Sequence, residues 1–151
     1  MKALAHAAGA AALALTASMF VCTMLTVLLF DQAMLAQVRL GVLYGSLSLL
    51  PLLAFAAVGA RSRDGMLAER KLRRMGIVGF NALLLLAPIA LLLYVKASAG
   101  NFDAAFYLIQ GGELLLQMLQ LQLLALNMHD GLLLAGRLRP AVQAERRRHA
   151  H

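Results

Sequence analysis

A chain of 151 residues that is 62% hydrophobic and only 14% charged, with a mean hydropathy of +0.77, carries more apolar side chain than a soluble domain of that length can bury. Its net charge of +7 sits mostly in segments bordering hydrophobic runs, and aromatic residues make up 6%, which argues against a base-stacking nucleic-acid surface. The single cysteine, Cys22, can form neither an intrachain disulfide nor a cysteine metal cage.

Lys2 and the alanine-rich stretch behind it are ingredients of a secretory signal. The apolar run continues through Phe20, Val21, Met24 and Leu25 to Phe30, well past the roughly 7 to 15 residues of a signal core, and Cys22 lacks the small preceding residue of a lipoprotein signal. Residues 4–30 therefore read as a retained first transmembrane helix, with Thr16, Thr23 and Thr26 on one side. Residues 31–39 read as a short polar link and residues 40–60 as the second span. Gly41, Gly45 and Ser48 in that span make a face of small residues that lets another helix approach closely.

Residues 61–74 hold Arg61, Arg63, Arg70, Lys71, Arg73 and Arg74 against Asp64 and Glu69. Such a loop belongs on the cytoplasmic side, where its cations meet anionic lipid headgroups. Asp64 as a cap and Glu69 four residues before Arg73 predict a helical lead, Met66 to Arg74, into a third span over residues 75–95. Asn81 in that span is a natural partner for a polar group on the fourth span, and Pro88 predicts a kink. After an external link over residues 96–103, the fourth span covers residues 104–127, with a helical extension to about 138 before Pro140. Arg137, Arg139 and Arg146 to Arg148 place this end in the cytoplasm. The membrane domain is then residues 1–139, and residues 140–151 form a basic, flexible tail.

The fourth span carries the chemistry. At about 100° per residue, Gln110, Glu113, Gln117, Gln120 and Asn127 fall on one stripe with Leu124 among them. An unsatisfied polar group in hydrocarbon costs several kcal/mol, so the stripe must face other helices or a wet cavity. The eight leucines between Leu114 and Leu126 favour insertion by roughly 0.3 to 0.6 kcal/mol each, while a central charge opposes it by roughly 2.5 to 3.5. The helix is thus only marginally self-inserting and needs its neighbours.

Three roles fit these residues. The stripe is interhelical glue; or Glu113, flanked by Gln110 and Gln117, binds a cation or relays a proton; or the stripe contacts a buried cofactor. His6 and His129 lie near the same membrane face and are weak candidates for a metal or for haem b, with a quinone the other cofactor considered. No nucleophile stands beside His129 and Asp130 in the sequence, so a hydrolase has no constellation.

The sequence therefore predicts an all-α integral membrane protein: four transmembrane helices in an up-and-down bundle with both termini cytoplasmic, in a bacterial inner membrane. The expected function is non-enzymatic, an accessory or scaffold subunit that meets lipids and other membrane helices, as a homo-oligomer or in a larger complex, with no resident cofactor and no nucleic acid. The alternatives are a small homo-oligomeric transporter or channel coupled through Glu113, and a haem- or quinone-binding electron-transfer subunit.

Overall fold

The computed structural model describes residues 2–29, 32–61 and 66–134, and all its regular elements are helical. They are α1 (Lys2–Leu29), α2 (Gln32–Arg61), α3 (Met66–Phe80), a π-helical stretch (Asn81–Leu86), α4 (Ala87–Ser98) and α5 (Ala104–Leu134). The π stretch joins α3 and α4 into one rod, so the fold has four rods. Three segments are long and apolar enough to cross a membrane: Leu4–Leu29, Met34–Val58 and Ala68–Ser98. Helix α5 has 31 residues and is not among these three.

The rods close into a ring. Helix α1 packs against α2 and α5, while the α3–α4 rod packs against α2 and α5 from the other side, so α2 stands diagonally across from α5. The reason is visible in the spacing of buried residues. In α2 they run Leu35, Arg39, Val42, Ser46, Leu49 and Leu53, alternating steps of four and three. That 3.5-residue period keeps one seam turned toward the partners along the whole helix, as in a coiled coil. Helix α5 repeats it from Phe106 through Gln110, Glu113, Gln117 and Gln120 to Leu124 and Asn127.

The third rod breaks the pattern where its backbone does. Ala82, Leu86 and Ala90 are buried at successive steps of four, across the π stretch. Pro88 lacks the N–H that would meet the carbonyl of Leu84, and the wider π turns absorb this while keeping the seam facing inward. Gly100, with φ of 68°, takes the left-handed conformation that turns the chain from α4 toward α5.

Two expectations change here. The stretch read as a polar link over residues 31–39 is helical from Gln32 onward, because Leu35 and Arg39 already occupy seam positions of α2. The small-residue face narrows to Gly45, where an added Cβ would stand 2.5 Å from Met19 Sδ on α1. Gly41 and Ser48 are exposed, and the Ser48 hydroxyl donates to its own helix at Tyr44 O, 2.8 Å away. They lie about 100° or more from the middle of the α2 seam, too far round to meet a neighbour. The helical extension beyond Leu134, the basic tail, Asp64 and Arg63 lie outside the described residues.

Candidate functional site

The stripe on α5 faces the interior of the bundle. Gln110, Glu113, Gln117, Gln120 and Asn127 are all buried. Among the described residues three side-chain pairs tie this side of α5 to other rods, at three heights along the bundle.

The first joins Arg39 to Glu113. Both side chains have no exposure, and Arg39 Nη1 donates to Glu113 Oε2. Because α2 and α5 stand diagonally, the long arginine side chain reaches through the centre of the bundle to make this pair. The second lies at the π stretch, where Asn81 Nδ2 donates to Gln120 Oε1 at 2.8 Å and to Leu116 O at 3.2 Å. The third closes the opposite end, where Arg74 Nη1 donates to Asp130 Oδ2 at 2.7 Å.

The cross-links leave part of the polar seam unused. Both polar atoms of Gln117 and of Asn127 are buried without a hydrogen-bond partner among the described residues, as are Gln110 Oε1, Glu113 Oε1, and Arg39 Nε and Nη2. Ser46 Oγ, on the Arg39 side of α2, is in the same condition.

The link between α4 and α5 is fastened differently. Asp103 accepts from Lys96 Nζ at 2.9 and 3.0 Å and, through Oδ1, from the Phe106 N–H at 2.8 Å. It is therefore the N-cap of α5. The hydrogen bond from Lys96, helped by that from Phe106, holds its carboxyl below the usual aspartate range.

The other sequence candidates separate. His6 Nε2 lies 3.1 Å from Gly131 O, which ties the start of α1 to the end of α5. The His129 side chain is 61% exposed, with Nδ1 3.7 Å from Asp130 Oδ1. One imidazole thus looks into the bundle and the other away from it. Among the described residues no three His, Cys, Asp or Glu side chains gather into a set that could hold a metal ion. Of the basic residues in α3, Arg70 and Arg73 are exposed, whereas Lys71 is half-buried and Arg74 is engaged with Asp130. The Arg61 side chain lies outside what is described.

Sequence reasoning missed Arg39, the counter-ion of Glu113. Its signal was present as the spacing Leu35, Arg39, Val42, Ser46, Leu49, which puts the guanidinium on the seam. A charge next to a short link reads first as a border residue, and that reading hid the period.

Comparison with protein-family models, with characterised proteins and with solved structures finds no match to this chain.

Proposed function

We propose that this chain is a non-enzymatic, four-span protein of a bacterial inner membrane, an accessory or scaffold subunit with both termini cytoplasmic. In this reading α5 is the fourth span, made insertable by its neighbours. The observation that carries it is the buried Arg39–Glu113 pair. A carboxylate held by a guanidinium inside the same chain is a fastening: it neutralises both charges, and removing either partner would strand the other in a medium that cannot solvate it. Asn81 and Gln120 fasten the next level down. The outward faces are apolar, with Leu25, Phe55, Phe80, Leu108 and Leu115 all exposed, and offer themselves to acyl chains and to the helices of a partner alike. Basic residues at the cytoplasmic ends hold anionic headgroups.

The test is native extraction into nanodiscs, mass determination, and identification of what co-purifies. A larger membrane protein at fixed stoichiometry, or a defined homo-oligomer that retains other proteins, is the expected result. A bare monomer with nothing attached would overturn the subunit reading.

One observation favours a second reading, transport of a proton or cation. Glu113 Oε1 and the Gln117 carboxamide are buried and unpartnered, and a passing cation or hydronium is the kind of group they would coordinate. Reconstituted vesicles decide it. A proton- or cation-dependent flux that Glu113→Gln abolishes would move the assignment to transport, and no flux above that of empty vesicles removes it.

A further inference from the structure

The cross-links that fasten α5 leave Asn127 without a structural purpose. It is 3% exposed, and neither Nδ2 nor Oδ1 has a hydrogen-bond partner among the described residues. It lines a small pocket, open at its mouth, between the start of α1, the end of α2, the start of α3 and the end of α5. The polar part of the lining is His6, Lys71, Asn127 and the backbone of Gly131, above an apolar floor that includes Leu53, Met75 and Leu124.

The pocket depends on a glycine. Lys71 Nζ stands 3.0 Å from the point a Cβ on residue 131 would take, so a side chain there would press on the ammonium. His6 Nε2, next to Gly131 O, carries a hydrogen in this arrangement, since a carbonyl only accepts. Lys71 looks inward from the same helix whose Arg70 and Arg73 are exposed.

An ammonium and an amide donor above an apolar floor, at the basic end of a membrane bundle, complement a phosphate that carries acyl chains. The phosphate oxygens accept from Lys71 and Asn127 Nδ2. Asn127 Oδ1 is left for a headgroup hydroxyl, and the acyl chains stay outside the pocket, along the exposed apolar side chains of the bundle. Basic pockets between helices at the cytoplasmic side attract such headgroups, and neighbouring surface arginines concentrate anionic lipid around them.

We propose that this pocket binds the phosphate headgroup of an anionic membrane lipid, with Lys71 and Asn127 as its ligands. The proposal does not depend on the role given to the Arg39–Glu113 pair. Inorganic phosphate shares the chemistry, so the test includes it as a separate probe.

The experiment delipidates the full chain in mild detergent and measures binding by native mass spectrometry with phosphatidylglycerol, phosphatidylcholine and inorganic phosphate in turn. Wild type is expected to hold one phosphatidylglycerol in preference to phosphatidylcholine. Asn127→Leu and Lys71→Gln should each weaken that binding about tenfold or more, because the first removes a hydrogen bond to a charged group and the second removes the charge that faces it. Asn127→Leu deletes an amide that has no hydrogen-bond partner among the described residues, so its helical content should match wild type; if it does not fold, Lys71→Gln carries the readout. Unchanged binding in the folded variants would place the lipid on the surface arginines and overturn the pocket. Equal binding of phosphatidylcholine, or inorganic phosphate bound as tightly as the lipid, would overturn the lipid assignment.

Discussion

Helices α1 and α5 lie side by side and each bury one seam at steps of three and four residues, yet they satisfy their polar groups in opposite ways. The polar seam residues of α1 are the threonines Thr16, Thr23 and Thr26, and Thr16 and Thr26 bond their own helix. Thr16 Oγ1 donates to Ala12 O at 2.9 Å, and Thr26 Oγ1 donates to Thr23 O at 2.9 Å and Cys22 O at 3.1 Å. A hydroxyl on Cβ reaches the carbonyl one turn back on its own helix, so these bonds form wherever the helix sits. The acid and amides of α5 are longer and make no such bond: Glu113 and Gln120 meet Arg39 and Asn81 on other rods. Spacing decides which residues are buried, and side-chain reach decides whether a buried polar group fixes a helix against its neighbours.

The sharpest break of that contrast is at the ion pair. Arg39→Leu or Glu113→Leu alone should cost about 3 to 5 kcal/mol, since each leaves a buried charge without its partner. The double variant should recover most of that loss, as two apolar residues of similar volume commonly do. Unfolding in mixed micelles, followed by helical signal against denaturing detergent, measures all three. Single variants as stable as wild type would show that the pair does not hold α5 in place.

The next effect down is at the π stretch. Asn81→Leu should cost about 1 to 2 kcal/mol, the sum of a lost hydrogen bond and a stranded Gln120 carbonyl. Adding Gln120→Leu to that variant should cost little more, because the partner it would strand is already gone. A cycle of the two variants reads the coupling directly, and additive losses would mean the two amides act separately.

The amide stripe was legible because its spacing is regular and its residue types are costly in hydrocarbon. Gln110, Glu113, Gln117, Gln120 and Asn127 announce a shared face, and that face is buried. What the face meets was harder to read. Arg39 ends a stretch that reads as a short polar link, where a charge is ordinarily a border marker, and pairing it with Glu113 needs knowledge that α2 and α5 are diagonal. Pro88 predicts a disturbance in the third span, but how many residues the distortion takes up depends on which side chains must face inward after it. Lys71 is one cation in a run of cations, and only its place one turn before the buried Met75 turns it toward the pocket rather than toward solvent.

A smaller effect lies outside the bundle's polar core, at the cap of α5. Asp103 titrates below its ordinary value of about 3.9 because Lys96 and the Phe106 N–H bond its charged form. A depressed folded-state pKa means the stabilisation is fully present above the unfolded value and is lost as pH falls through the folded one. The unfolding midpoint should therefore be flat with respect to this group from neutral pH to about pH 4 and fall below that. Asp103→Asn should lower the midpoint slightly at neutral pH and flatten the acid limb. An acid limb identical in wild type and variant would assign the loss to other carboxylates.

The smallest effect is the one that makes the comparison quantitative. Thr16→Val keeps the branched shape of the side chain and removes only a hydroxyl that is bonded to its own helix. The carbonyl of Ala12 keeps its place in the helical ladder, so the change should lie within about 0.5 kcal/mol of wild type. Thr23→Val belongs beside it, since Thr23 Oγ1 is buried without a partner among the described residues and its removal should be neutral or stabilising. Both are read in the same detergent titration as Asn81→Leu. If Thr16→Val costs as much as Asn81→Leu, the threonine seam is fastening α1 to its neighbours after all, and the division between locally and distantly satisfied helices fails. If it costs nothing, then a buried polar group bonded to its own helix does not hold that helix in place, and the reach of the side chain accounts for the difference between the two seams.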